Sequence, residues 1–404
     1  MLVSRPSLNE VMFAAISRVL CEVSFTPDLP AVWHYAALLS LTSDDPSRRE
    51  RMRDKWVPES QLEEHAPAAI DVLAELLKDA TLPPEIRNRI SLIDPREYMH
   101  MILAWRYNSF GHHTDTDALC MYDTTSTMAH SCSPSAVWHF GADDAFCLRA
   151  RVSLKPGDEI TISYLGDEDL LRSVPERRKR TQGWLFACQC DRCLSPIDYS
   201  RGFRCPTCFI GAVYMHPKNV PVGPCSCCNT AIPDTTLERY LDLESSYTSR
   251  LSQTDQTDLE DITCVLSDAR NLLHENHWII YSLETWISDC LKKSNPAASS
   301  RRITLLTSRL NFLTLTFPVA NYTAAWILEE LGDCLSDVRL SAEAARNYSA
   351  SYWYMQILCG SQHPFSESIS SKWAALEEEK PEKDEEEGIT ASTTPARASP
   401  PTLI

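Results

Sequence analysis

Eight cysteines lie between Cys188 and Cys228, within 41 residues, and their spacing is that of metal ligands. A zinc ion takes four soft donors in a tetrahedron, with each sulfur about 2.3 Å away, and thiolates presented from tight turns meet that need. Cys205 and Cys208 (CPTC) pair with Cys225 and Cys228 as C-x2-C-x16-C-x2-C, the spacing of two knuckles closing on one ion. Cys227 lies inside the second knuckle, either as a replacement for Cys228 or as a bystander. Cys188, Cys190 and Cys193 form a second group, C-x-C-x2-C. Three ligands leave a structural site open, so the fourth must come from elsewhere. The upstream candidates are Cys120, Cys132 and Cys147. Cys147 sits between Phe146 and Leu148 in a strand-like run, where a small apolar residue suits a core. Cys132 sits in AHSCSP, a turn-like polar stretch suited to presenting a ligand, and is the expected fourth donor. The ion would then join segments 56 residues apart. Two zinc ions are expected.

Other chemistries are poorly served. The chain has eleven glycines and no two lie within eight residues of each other, which excludes the GxGxxG and GxxxxGK[ST] phosphate turns. A GxSxG nucleophile elbow is also absent. The net charge of −17 argues against non-specific nucleic-acid binding, which needs clustered Lys and Arg. The basic run Glu176–Arg180 (ERRKR) reads as a solvated helix face. His112, His113, Asp115 and Asp117 read as a polar loop, and His274 and His277 as packing residues at a helix end. No apolar run reaches the roughly 18 residues of a spanning helix, and VMFAAI between Glu10 and Arg18 makes no signal peptide. No membrane contact is expected, and the protein is expected to be intracellular, in the cytoplasm, the nucleus or both. Sixteen cysteines in a reducing compartment then read as ligands or core residues.

The elements that must position these residues change along the chain. Residues 1 to about 110 read as helical: AVWHYAALLSL, Pro58 to Lys78 and PREYMHMILAWRYNSF carry apolar positions at three- and four-residue spacing. AVWHF, AFCLRARVSL and EITISY are short β-rich runs joined by the turns GADD and KPGD, and predict a small antiparallel sheet. Helical periodicity returns from Thr235 to Lys372 in paired blocks such as AAWILEELGDCL and AEAARNYSASYWYMQIL, as in a tetratricopeptide-like array. The run from Glu377 to Glu387 holds eight acids and two lysines and reads as a disordered tail.

NSFG, MAHSCSPSA, GDEITISY and WLFACQCDRC, in this order, resemble the C-terminal half of a SET domain of the SET–MYND type of protein-lysine methyltransferase. The resemblance covers residues 100 to 195 or so. It extends more weakly to about residue 370 through LLHENHW and LCGSQHP. It implies an α+β fold: a helical insert (1–110), a small β-rich SET pseudoknot (111–183), a zinc-binding post-SET segment with a second knuckle (184–233), a helical repeat-like domain (234–372) and an acidic tail (373–404). It implies S-adenosylmethionine as methyl donor and a histone or non-histone protein lysine as acceptor. Tyr164 would be the catalytic tyrosine; Asn108, His130 and Phe186 would hold the cofactor; Trp184 would line the substrate channel. It also implies that Cys132 joins the three post-SET cysteines on zinc.

The sequence departs from that pattern in places. Ala129 stands where the family has a cofactor-holding Asn, a loss of about 0.5–1.5 kcal/mol. Ser135 replaces a second Asn, no glycine precedes Gly111, and only Cys21 precedes Cys120, so no MYND finger is legible. These departures imply either a gene model cut short or a protein that has lost half its cofactor pocket. The competing function is a catalytically inactive SET scaffold, in which zinc and the helical array serve protein–protein interaction. A zinc-ribbon nucleic-acid binder is disfavoured, because Lys218 is the one Lys or Arg between Thr207 and Pro233.

Overall fold

A computed structural model of the chain describes residues 2–3, 10–22, 31–43, 45–111, 118–141, 145–294 and 299–378. It divides into two compact units, Met1–Met128 and Ala129–Ile404. The architecture is α+β, with short strands among many helices.

The first unit contains β1 (Leu2–Val3), helices α1 (Glu10–Glu22), α2 (Ala31–Leu41), α3 (Pro46–Arg53), α4 (Glu59–Lys78), α5 (Pro84–Ile90) and α6 (Pro95–Asn108), and strands β2 (Phe110–Gly111) and β3 (Leu119–Cys120). Helix α6 is its centre. Asp94 caps it by accepting the Glu97 N–H at 3.0 Å, and Pro95 pre-sets the first turn. Tyr98, Met99, Met101, Ile102, Leu103, Ala104 and Trp105 are all buried, with α2 and α4 packed against them. At its end Asn108 is buried, and its amide donates to the carbonyls of Trp56 and Ala104, both at 2.9 Å. The three short strands pair antiparallel in the order β1-β3-β2.

The second unit opens with β4 (Ala129–His130), β5 (Ala136–Phe140), β6 (Phe146–Ala150) and β7 (Thr161–Ile162). Strands β5 and β6 form the expected antiparallel hairpin, with Trp138 opposite Leu148 and His139 opposite Cys147. The EITISY segment does not continue that sheet. Its strand β7 pairs in parallel with β4, which corrects the single antiparallel sheet expected above. A parallel pair needs a crossover of a dozen or more residues, and the β5–β6 hairpin is carried on that crossover. Ser135 fastens it: its backbone N–H donates to Thr161 Oγ1 at 3.0 Å, and its hydroxyl accepts the Thr161 N–H at 2.9 Å.

After β7 come α7 (Asp167–Leu170), α8 (Val174–Thr181), a 3-10 turn (Gln182–Trp184) and α9 (Asp191–Leu194). Strands β8 (Asp198–Arg204) and β9 (Ala212–Met215) follow, then α10 (Asp234–Gln253) and α11 (Leu259–Ala269). Next is β10 (Leu273–His277), which joins the other two strands in an antiparallel sheet ordered β10-β8-β9. The LLHENHW stretch is therefore a strand that runs directly into α12 (Trp278–Ser294). His277 does sit at a helix end, where its Nδ1 accepts the Ile279 N–H at 3.2 Å. A buried ion pair locks this sheet to α10: Arg201 Nε donates to Glu244 Oε1 at 3.0 Å, and Trp278 Nε1 donates to the same oxygen at 3.3 Å. Burial pushes the Glu244 carboxyl up, but His277 and Arg201 outweigh it and hold its pKa at about 2.

Helices α13 (Ser299–Thr316), α14 (Tyr322–Asp337), α15 (Ser341–Leu358) and α16 (Pro364–Glu378) complete the unit, each packed on the next. Gly332 permits close approach here, since a Cβ on it would lie 2.6 Å from Tyr348 Cδ1. Helix α16 reaches Glu378, beyond the Lys372 where the helical region was expected to end. The rest of the acidic run, and His112, His113, Asp115 and Asp117, lie outside the described residues. No helix among the described residues is long and apolar enough to cross a membrane.

Candidate metal centres and aromatic site

Four sulfurs from two distant segments meet in the second unit. Cys132 follows β4, Cys188 and Cys190 lie between the 3-10 turn and α9, and Cys193 is inside α9. Their ligand atoms all lie within 4.8 Å of one another, and Cys193 Sγ is 3.5 Å from Cys132 Sγ. A tetrahedron with sulfurs about 2.3 Å from its centre has edges of about 3.8 Å, so the cluster has the size of a four-thiolate zinc site. Cys190 also positions its neighbours, its carbonyl accepting the Cys193 N–H at 2.8 Å. Hydrogen bonding, first from Cys132, brings the Cys190 thiol down to about 5, while Cys188 and the other two thiols push Cys132 up. Thiols crowded in this way cannot all ionise without a cation among them. Of the three upstream candidates, Cys132 is the one at the cluster; Cys120 is in β3 and Cys147 in β6.

The second cluster is Cys205, Cys208, Cys225 and Cys228, again within 4.8 Å. Cys205 to Cys228 and Cys208 to Cys225 are each 3.7 Å, close to the same tetrahedral edge. The two halves repeat one local conformation. Phe209 and Asn229 both turn left-handed, at φ 59° and 56°, and donate back to the carbonyls of Cys205 and Cys225. The sulfurs accept backbone N–H groups: Thr207 on Cys205 and Gly211 on Cys208, each at 3.4 Å, and Cys227 on Cys225 at 3.3 Å. Cys227 itself is exposed and outside the four, so it is Cys228 that completes the group. Gly211 is where the knuckles touch. A Cβ there would run into Cys225 Sγ and lie 2.6 Å from Cys227 Cβ. Gly211→Ala should therefore lose this cluster's ion and keep the other, read as one zinc per chain by elemental analysis; two ions would refute the close-approach argument.

The ERRKR run is not the solvated face expected from the sequence. Helix α8 buries Arg177, whose Nη2 donates to Cys193 Sγ at 3.6 Å. Arg178 donates to the carbonyls of Cys188 and Cys193 at 3.1 and 3.2 Å, and Arg180 pairs with Asp169 and Glu176. From α9, Arg192 donates to the Cys132 carbonyl at 3.1 Å. These arginines were missed because charge runs read as surface until a partner is known. Their position beside a C-x-C-x2-C group was the available signal.

Next to the first cluster, four rings converge. Tyr164 lies 5.3 Å from His130, 5.5 Å from Trp184 and 6.2 Å from Phe186, centroid to centroid. His130 is 5.8 Å from Phe186. Leu185, left-handed at φ 62°, lies between Trp184 and Phe186, and a branched residue held there stores strain at this point of the chain. The Tyr164 N–H donates to His130 Nδ1 at 3.0 Å, which assigns the proton to Nε2, and Nε2 faces Cys132 Sγ at 3.3 Å. Both nitrogens of His130 are thus engaged with protein, and it has its ring face to offer a ligand. Burial raises the Tyr164 hydroxyl above its ordinary pKa, so it stays protonated and can donate. Ala129 is exposed and brings no amide. Asn108 belongs to the first unit, where its amide is engaged as described above.

Residues 30–165 match the SET domain family, a span that contains Asn108, His130, Cys132 and Tyr164 and begins well upstream of the motifs that carry the resemblance. A SET and MYND domain-containing protein of Dictyostelium discoideum is 36% identical over 82 residues. That alignment covers 20% of this chain and 23% of the relative, so the chain matches about a quarter of that protein's length. The chain thus carries a SET domain in this span, with these cysteines and rings around it, and is similar over part of its length to a SET and MYND domain-containing protein.

Proposed function

We propose that this chain is an intracellular protein-lysine N-methyltransferase, using S-adenosylmethionine to methylate a histone or non-histone protein and holding two structural zinc ions. The observation that carries the reading is the pinning of Tyr164. Its backbone is held by His130, which abuts Cys132 of the first sulfur cluster, so the tyrosine and the metal ligands form one connected frame. The cofactor supplies an electrophilic methyl group on a sulfonium. The Tyr164 hydroxyl would orient donor and amine, the Phe186 ring would stack on the adenine, and Trp184 would shield the lysine from water. Aromatic faces also favour cations such as a sulfonium or an ammonium. A lysine amine with a pKa near 10.4 must lose its proton before attack; desolvation in this half-buried site opposes the attraction of the ring faces and disfavours the charged form. The helices from α13 to α16, read as a repeat-like array, would carry a protein partner.

A second reading, a non-catalytic SET scaffold, is favoured by two observations. Ala129 lacks the amide that the family uses, and the Asn108 amide is already bonded to Trp56 and Ala104. Calorimetry with S-adenosylmethionine separates the two. The methyltransferase reading expects saturable binding at micromolar ligand; no heat at millimolar ligand would leave the scaffold.

A further inference from the structure

We propose that Arg177 is the buried countercharge of the first sulfur cluster, and that its positive charge tightens that cluster's hold on its metal. The inference rests on the zinc reading above. Four thiolates around a dication carry two net negative charges. Cys132, Cys188 and Cys193 are 0%, 2% and 1% exposed and Cys190 alone is half-buried, so water screens that charge poorly. Charge buried without a partner is strongly unfavourable.

Arg177 has the complementary problem. It is 1% exposed, and among the described residues it forms no ion pair with a carboxylate. The buried Asp198 carboxylate is a nearby opposite charge that also favours the guanidinium, but it makes no direct bond to Arg177; its oxygens accept from Val174 N–H and from Ser200. The Arg177 guanidinium donates instead to the Arg172 carbonyl and to Cys193 Sγ, while its Nε has no hydrogen-bond partner. A buried cation with no direct carboxylate bond and a buried thiolate cluster with excess negative charge each offset part of the cost of the other. Arg178 and Arg192 differ in kind. Neither donates to a sulfur: Arg178 bonds to the carbonyls of Cys188 and Cys193, and Arg192, whose charge also acts on Cys132 and Cys193, bonds to the Cys132 carbonyl.

The second cluster has another solution. Cys208 and Cys228 are partly exposed, its sulfurs accept backbone N–H groups, and among the described residues no arginine donates to them. The two sites should therefore respond differently to loss of one guanidinium, which makes the second an internal control.

The test uses the full chain, with zinc content and competition against a chromogenic chelator as readouts. Arg177→Met should weaken one of the two ions by about 10–100-fold, the usual effect of losing a group that supports metal ligands, and leave the other unchanged. Arg177→Lys, which keeps the charge, should recover most of that loss. Arg177→Gln keeps a donor without charge and should behave like the Met variant, which also covers the case in which Met does not fold. Cadmium NMR of the substituted protein should show one of two resonances moved in the neutral variants. Lys, Gln and Met variants that weaken the ion equally would mean a packing role and overturn the inference. So would a neutral variant that keeps wild-type affinity. Wild-type protein holding a single ion, lost on Gly211→Ala, would instead overturn the zinc reading of the first cluster.

Discussion

Cys132→Ser should remove one zinc ion per chain and destabilise the second unit by more than about 4 kcal/mol, the range reserved for lost metals and broken buried networks. Cys132 is fully buried and is the one ligand of its cluster that does not come from the segment Cys188–Cys193. A serine hydroxyl at neutral pH is a poor substitute for a thiolate, so the remaining three sulfurs would no longer close a tetrahedron. Structural zinc contributes folding free energy directly, on the order of 10 kcal/mol for a complete site. The loss would spread locally. Arg192 would lose the ordered Cys132 carbonyl, and His130 would lose the sulfur beside its Nε2. On the methyltransferase reading, methyl transfer should fall with the metal, because Trp184 and Phe186 lie on the segment that the ion would tie to β4. Elemental analysis and thermal unfolding check this, with Cys227→Ser as a control that should keep both ions. A full complement of zinc in Cys132→Ser would show that another residue completes the first site.

On the methyltransferase reading, Tyr164→Phe should behave in the opposite way, with intact zinc and stability but turnover lower by about 100- to 1,000-fold, the usual cost of one positioned hydrogen-bond donor. The ring contacts with His130, Trp184 and Phe186 need the aromatic ring and not its hydroxyl. The bond to His130 comes from the backbone N–H and survives the substitution. Binding of S-adenosylmethionine should therefore persist while labelling of a protein pool collapses. Unchanged turnover would remove Tyr164 from the reaction. A wild-type chain that binds cofactor but transfers no methyl group to any protein would favour the scaffold.

Much of the candidate site was legible because it is local. The spacing of Cys205, Cys208, Cys225 and Cys228 dictates two tight turns, and a thiol three residues past another across such a turn has few ways to point elsewhere. The same holds for Cys188, Cys190 and Cys193, and for the β5–β6 hairpin, whose turn residues and alternating pattern are contiguous. Cys132 was inferred from a weaker signal, the polar turn around it, since nothing local ties it to a segment 56 residues away.

What the sequence could not determine depends on partners. Period-two patterning marks EITISY as a strand but carries no information on direction, which was set when β7 paired with β4 across the hairpin. The HENH stretch is strand because β8 offers it an edge, and propensity would not have placed it there. Arg177 reads as surface in any helix of that composition, because a charge is buried only where an opposite charge is already waiting. Sequence alone determined which residues can ligate metal and in which groups. Only the tertiary structure decided which groups close, which strand lies beside which, and which cation is enclosed with the sulfurs, because each of those outcomes is set by contacts between segments far apart in the chain.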